Sequence, residues 1–517
     1  MITEDQSSVV AFLASPMTHA GAAVERIDTH TSILFLTGER AWKLKRAVRY
    51  GYLDYGTADQ RRAMCEAEVR VNRRTAPSLY RGVTAVTRER DGSLALGGAG
   101  TPVDWLVEMT RFDQNGLFDR LAETGALPLQ LMVPLAHEIA RLHRTADCRV
   151  NYGGWAAMRR VVTGNAAGFA EDGAGILDQA KCAKLTAFAH VVLARADVLL
   201  EQRSADGLVR RCHGDLHLRN IVLLDGQPTL FDAIEFSDDI AWIDVLYDLA
   251  FLLMDLERLG LRQHANILWN AYLTETNDLG GLALMPLFLS CRAAVVAKTT
   301  ATAANLQTNP RRRDELRTRA NSYLTIADAL LEPAPARLIA IGGPSGSGKS
   351  TLAMALAPSF GAPPGAVVIR SDEIRKKLCG VQPLDRLGPE GYTDAISRRV
   401  YATLMEQASK VVCSGYTAIA DAVFADAADR DAIQRVAGAA GVPFVGLWLE
   451  AAAPVLVARV EARGPDPSDA GSDVVRRQLA HPVVGLRWQR LDASATREQV
   501  RDAAAEIVGV QPQLIDR

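Results

Sequence analysis

The sequence lacks a clear excess of either charge. Its 58 Lys and Arg stand against 60 Asp and Glu, a formal net charge of −2. A nucleic-acid binder usually shows a basic balance or a basic patch interleaved with aromatics, and this chain has neither, so no nucleic-acid partner is expected. No apolar run reaches the ~18 residues of a membrane span. The first residues, "MITEDQSSVVAFLASPM", carry acids where a secretory signal has a basic segment. No membrane association is expected, and a cytoplasmic location is. The seven cysteines (Cys65, Cys148, Cys182, Cys212, Cys291, Cys379, Cys413) include no CxxC pair. Scattered and odd in number, they exclude a zinc-spaced cluster and a disulfide frame, and read as buried free thiols in a reducing compartment. No internal repeat is visible.

What is present is a chain of 517 residues, 48% apolar and 23% charged. That is too long for one core and fits a soluble protein of two to four domains. The clearest seam is "LLEPAPARLIAIGG", where two prolines stop a helix-like stretch and favour an extended linker. A boundary near Pro333 gives domains 1–332 and 333–517. In the first, "TSILFLTGERAWKLKRAV" reads as two strands joined by a tight turn at Gly38 and Glu39. "TADQRRAMCEAEVRVNRRTAP" reads as a helix capped by Thr57 and stopped near Pro77. "GVTAVTRE" and "DWLVEMTRF" are strand-like, and helical periodicity dominates from "LPLQLMVPLAHEIARLHRTA" onward. A strand-rich small lobe followed by a helical large lobe is expected. After the seam, "RLIAIGG", "AVVIRSD", "YTAIADAVF" and "PFVGLWLEA" alternate with amphipathic helices, the βα pattern of a parallel sheet covered on both faces.

The first motif is "HGDLHLRN". Asp215 and Asn220 lie five apart, and Asp232 follows the apolar stretch "IVLLDGQPTLF". Phosphoryl transfer from ATP requires a carboxylate to orient the attacking hydroxyl and oxygen ligands for Mg²⁺. Asp215 suits the first role, Asn220 and Asp232 the second. A capped turn with solvated acids explains a lone Asp better, but not the ordered set of His213, Gly214, Asp215, Asn220 and Asp232.

This segment resembles the aminoglycoside phosphotransferase branch of the protein-kinase-like fold, whose loop reads H-G-D-x-H-x-x-N. The resemblance covers about the first 330 residues, including "IARLHR" before the loop and "DVLYDLAFLL" after it. It implies a bilobal domain in which Asp248 braces the loop. It also implies a nucleotide-binding Lys on the third strand paired with a Glu on the next helix. Lys43 and Glu68 are preferred, with Lys45 and Glu66 as alternatives. The phosphate-covering stretch "ERIDTHTSILF" departs from the family in having no glycine. Hydroxyls and amides of Thr29, Thr31 and Ser32 are the substitutes.

The second motif, "GPSGSGKS", satisfies G-x-x-x-x-G-K-S between an apolar strand and a helix. Gly343, Pro344, Ser345, Gly346, Ser347, Gly348 and Thr351 are expected to surround the phosphates with backbone N–H groups at a positive helix end. Lys349 reaches the β and γ phosphates, and Ser350 ligates Mg²⁺. Asp372 is placed at a strand end as hydroxyl-activating base, with Arg375 holding the substrate. Asp421 ends another strand as a metal-associated acid. Arg459 and Arg463, one helical turn apart before "GPDPSDAGSDVV", read either as lid arginines or as an ordinary solvated helix face. This segment resembles the small P-loop kinases that include gluconate kinase, zeta-toxin kinases and the kinase part of polynucleotide kinase. Its Asp372 and Arg375 match that group's Asp-x-x-Arg.

The expected whole is a bilobal protein-kinase-like α+β domain followed by a P-loop parallel α/β domain. It reads as a tandem kinase using ATP and Mg²⁺ on a small hydroxylated metabolite. Its rivals are one enzyme domain with one nucleotide-sensing regulatory domain, a polynucleotide kinase, and a non-catalytic scaffold. Arg292 and Lys298, in "SCRAAVVAKTT", are read either as solvated or acid-paired cations, or as cleft cations that would repel a polycationic aminoglycoside. The second reading favours a neutral or anionic sugar, sugar acid or sugar phosphate.

Overall fold

The computed structural model describes residues 2–50, 53–464 and 466–509. The chain divides into two compact units: residues 2–259 with 291–324, and residues 260–290 with 325–509.

The first unit opens with a six-stranded antiparallel sheet. Its order is Val24–Asp28, Ser32–Thr37, Arg40–Lys45, Thr101–Thr110, Tyr80–Arg88, Leu94–Leu96. Thr37 pairs with Arg40, so Gly38 and Glu39 form the expected two-residue turn, with Gly38 at φ 50°. The apolar/polar alternation of "RAWKLK" puts Trp42 and Leu44 into one cluster with Phe35 and Leu106, and Lys43 on the opposite face. The helix Ala58–Asn72 starts at Thr57 with a reciprocal capping box to Gln60. It places Val69 and Cys65 against Leu36, Ala41 and Val107 of the sheet. Helices make up most of the rest, among them Met132–Thr145 and Val245–Arg258.

The second unit is built on five parallel strands in the order Val367–Arg370, Ala418–Asp421, Leu338–Gly342, Phe444–Glu450, Gln489–Asp492. The central strand Leu338–Gly342 is buried at every residue, as a sheet covered on both faces requires. Ile339, Ile341 and Leu449 pack against Leu352, Leu356, Val500 and Ala504.

The division differs from the single cut expected at Pro333. The helix Arg262–Thr276 belongs with the parallel sheet because its amides serve that sheet's edge strand. Val368 N–H donates to Asn270 Oδ1 at 2.7 Å, and Asn270 Nδ2 donates to Ala366 O at 3.1 Å. Asn266 Nδ2 donates to Pro364 O and Ala366 O, both at 3.1 Å. Two other expectations are corrected. Leu282–Leu306 has the length and mean hydropathy, 1.5, of a membrane span, but 67% of that window is buried inside the protein, as in a core helix. The thiols are free, and Cys65, Cys182, Cys212 and Cys291 are buried, whereas Cys148 and Cys413 are exposed.

Candidate active sites

In the first unit, the short strand Val209–Arg211 leads into the loop that holds His213, Gly214 and Asp215. Gly214 has φ 83°, and a Cβ there would meet Ile234 and the Ile240 carbonyl at 3.1 Å. Asp248, fully buried, braces this turn: it accepts the N–H of His213 at 3.1 Å and of Gly214 at 2.8 Å, and faces His143 Nε2 at 3.1 Å. His143, Cys212 and Asp248 together have the ligand types of a metal site. Here the Asp248 oxygens already serve the loop, so the group reads as a brace.

The Asp215 carboxylate is partly exposed and accepts from Asn220 Nδ2 at 3.0 Å. His217 Nε2 lies 3.3 Å from the same carboxylate. His217 Nδ1 accepts the Arg219 N–H, which leaves the ring's proton on Nε2, facing Asp215. Burial works to raise Asp215, but His217, His213 and Arg292 outweigh it and hold the carboxyl below its ordinary value. His217 moves the opposite way: burial works against its charge, and Asp215 raises it above the ordinary imidazole value. Asp215 is therefore an anion held by hydrogen bonds, as a hydroxyl-orienting carboxylate must be.

Lys43 Nζ reaches Glu68 Oε1 at 2.8 Å and Asp232 Oδ1 at 2.6 Å. Glu66 faces outward and pairs with Arg62. Lys45 is also drawn in: it contacts Glu68 Oε2 at 2.6 Å and Glu235 Oε1 at 2.5 Å, beside Tyr55 OH at 3.3 Å. One carboxylate thus serves both candidate lysines. Burial works to raise Glu68, but Lys43 and Lys45 pull it down to about 2. Asp232 sits at φ 61°, a left-handed conformation rare outside glycine, with its N–H donated to Tyr80 OH. Asn220, Asp215 and Asp232 offer hard oxygens that fit Mg²⁺.

Two expectations about this unit are corrected. The turn between the first two strands uses its own hydroxyl, because Ser32 N–H donates to Thr29 Oγ1 at 3.0 Å and Ser32 is buried. Thr29 and Ser32 therefore close the turn rather than present free donors. Arg292 and Lys298 are not free cleft cations. Arg292 is buried, stacks 3.9 Å from the Tyr247 ring centroid and donates to Tyr247 O. Lys298 Nζ donates to Gly164 O. Arg292 Nη1 donates to Gly214 O at 3.4 Å, and Nη2 lies 3.9 Å from Asp248 Oδ1.

In the second unit, the P-loop follows the central strand and runs into the helix Lys349–Leu356. Gly343 and Gly346 have positive φ, and a Cβ there would lie 2.4 Å from Leu449 O and 2.6 Å from Leu456 O. The loop can approach these carbonyls only without side chains. Over it opens a cavity of about 1630 Å³ lined by the loop, Asp372, Arg375, Tyr392, Arg459 and Arg463, among others.

Three groups of the loop have internal partners. Ser345 N–H donates to Gln478 Oε1 at 2.7 Å, Lys349 Nζ to Pro344 O at 3.0 Å, and Ser350 Oγ to Asp421 Oδ2 at 2.6 Å. Ser347 Oγ is buried without a partner, a donor suited to a phosphate oxygen. Burial lowers Lys349 and raises Asp421, against their mutual attraction and that of Arg370 for Asp421. Ser350 and Asp421 are hard oxygen donors at one point, and they fit a divalent cation.

The strand expected to end at Asp372 ends at Arg370, and Asp372 sits in the first turn of the helix Ser371–Leu378. Arg375 is held under the Tyr392 ring and donates to Gly391 O at 2.8 Å. Arg459 donates to Ala493 O, and Arg463 to Ser468 O and Ala470 O. Arg463 thus grips the loop at Ser468 and Ala470, and both arginines line the cavity.

Several site residues carried no sequence assignment: His217, Glu235, Gln478 and Arg370. His217 stood inside a recognised motif. Arg370 had a weak signal, a charge closing an apolar strand. Gln478 had none, because its role depends on a lid fold.

Residues 65–284 match the phosphotransferase enzyme family and residues 338–482 match an AAA domain. An uncharacterized protein of Mycobacterium tuberculosis strain H37Rv is 29% identical over 482 residues, covering 91% of this chain and 93% of that one. A Mycobacterium bovis protein matches equally. Among solved structures, a choline/ethanolamine kinase family protein from Mesorhizobium loti is similar at 14% identity and TM-score 0.39, over 63% of this chain and 94% of that one. A sugar kinase from Janibacter sp. HTCC2649 is similar at 21% identity and TM-score 0.27, over 35% of this chain and all of that one.

Proposed function

For a phosphotransferase that joins an aminoglycoside-phosphotransferase-like domain to a P-loop kinase domain, we propose a bifunctional tandem kinase. Each unit transfers the ATP γ-phosphate to a hydroxyl of a small metabolite, a sugar or sugar derivative. The observation that carries this reading is the duplication of a full set. One unit pairs Asp215 with Asn220 and Lys43 with Asp232. Lys349, Ser350 and Asp421 meet in the other, where Asp372 lines the same cavity. A regulatory domain has no need of a base beside its metal ligands.

In either site the acceptor oxygen forms a bond to the γ-phosphorus while the bond to the β–γ bridging oxygen breaks, and ADP leaves with that electron pair. The hydroxyl proton passes to Asp215 in one unit and to Asp372 in the other. Lys43 and Lys349 hold phosphate oxygens. Arg459 and Arg463 close over the second site and exclude water. Bound Mg²⁺ supplies charge neutralisation of the triphosphate, held by Asn220 and Asp232 in one site and by Ser350 with Asp421 in the other. The free thiols fit a cytoplasmic setting.

Asp215→Ala should abolish one ATP-dependent phosphorylation and Lys349→Ala another, followed by ADP release over a panel of sugars, sugar acids and aminoglycosides. If either single change removes all turnover, or neither changes any, the tandem reading is wrong.

A further inference from the structure

Arg370 closes the strand Val367–Arg370 at the carboxyl edge of the parallel sheet, where ligands of such sheets bind. Its side chain is only 13% exposed. Nη2 lies 3.2 Å from Ser350 Oγ, and Nε lies 3.5 Å from Asp421 Oδ2. Nη1 pairs with Glu373 at 3.1 Å, and Nη2 also pairs with Asp466 Oδ2 at 3.2 Å. Nε is buried and makes no hydrogen bond. The guanidinium thus stands at the two oxygens that fit a divalent cation, and one of its anchors, Asp466, lies in the loop that Arg463 grips.

A buried arginine that only neutralised acids would have its donors directed at carboxylates. This one is ringed by Asp421, Glu373 and Asp466, yet Nη2 also reaches the hydroxyl of the phosphate-loop serine. Two cations at one hydroxyl–carboxylate pair repel each other, so a metal at Ser350 and Asp421 must displace the guanidinium. A planar, multi-donor cation displaced at the γ-phosphate end of the loop is suited to charge that develops on the transferring phosphoryl group.

We propose that Arg370 is an exchangeable cation of the P-loop site. Without bound metal it pairs with Ser350 and Asp421, the two residues that would hold the ion. When the metal–nucleotide complex enters, it yields Ser350 and Asp421 and turns onto the γ-phosphoryl oxygens, with Glu373 and Asp466 limiting its swing. This assigns a catalytic role to a residue outside the loop, the base and the lid arginines. It rests on the reading that this unit transfers phosphate.

The test uses the full chain carrying Asp215→Ala, so that only the P-loop site turns over. The first readout is Mn²⁺ binding without nucleotide, followed by the electron paramagnetic resonance of the free ion. The second is ADP release with ATP and substrate. Arg370→Gln should bind Mn²⁺ on the order of tenfold more tightly, because a neighbouring positive charge is gone. That gain should vanish when Asp421→Asn is added. Turnover should fall ~10²-fold or more, the usual loss for a donor that stabilises transition-state charge. Arg370→Lys, which keeps the charge but loses the fork, should fold even if the glutamine variant does not. It should lose turnover about tenfold with a smaller gain in Mn²⁺ affinity. Unchanged Mn²⁺ affinity with a lowered melting temperature would make Arg370 a brace for Glu373 and Asp466 and overturn the proposal, as would unchanged turnover. If the Asp215→Ala protein shows no turnover at all, the tandem reading fails, and the Mn²⁺ titration still decides whether Arg370 holds the metal position.

Discussion

The two lysines at Glu68 show how close neighbours divide their work. Lys43 lies between Glu68 and Asp232 and keeps some exposure, whereas Lys45 is buried between Glu68 and Glu235. Lys45→Ala leaves two acids without their shared cation in a dry setting, a change that typically destabilises by ~3–5 kcal/mol. Lys43→Ala should lower ATP turnover far more than stability. Denaturant midpoints and ADP release on the two variants separate the roles, and equal loss of stability would contradict the division. His217 gives a pH prediction. Its folded value is raised by Asp215, so its contribution to stability is fully present below its ordinary value of ~6.5 and is lost as pH rises through the higher folded one. The melting-temperature gap between the natural protein and His217→Gln should be widest near pH 6 and narrow toward pH 9. A gap that widens with pH would reverse the assignment.

At the scale of elements, the strand Val367–Arg370 is the edge of the parallel sheet and carries Arg370 and, one turn on, Asp372. Edge strands leave N–H and C=O groups unpaired unless something covers them. Asn270 does so with one donor and one acceptor, and Thr274 Oγ1 donates to Glu373 on the next helix. Asn270→Ala should therefore destabilise this unit by ~1–3 kcal/mol, the effect of leaving a buried backbone group unsatisfied. The loss should show as an earlier unfolding transition and slower P-loop turnover, with Lys43-dependent turnover unchanged. Loss of both activities in equal measure would contradict a local brace.

For the molecule as a whole, what could be read from sequence follows the range of the interactions. The P-loop, the "HGDLHLRN" turn and the alternation of "RAWKLK" are set within a few residues, so their conformations were legible. Lys43 and Glu68 could be paired only through a family resemblance, and Lys45 was left as its rival because both lysines face one helix. Arg292 was left between an acid-paired and a cleft cation because its partners, Tyr247 and Gly214, come from distant stretches of the chain. The contact units depart from the cut at Pro333 for the same reason: prolines mark where a helix stops, but say nothing of which sheet an earlier helix completes. The metal requirement belongs to this scale too. Both candidate sites offer hard oxygens, so chelation of Mg²⁺ should abolish both activities and Mn²⁺ should restore both. Stoichiometric zinc in the active protein would contradict it.

The helix Arg262–Thr276 lies upstream of Pro333 yet completes the sheet downstream of it. A recombination joint at Pro333 would hand on a phosphate loop whose sheet has a bare edge, and would leave behind a helix whose asparagines have lost their backbone partners. Neither descendant inherits a finished fold. A chain cut there, or one half exchanged for a foreign kinase domain, would need that edge covered anew.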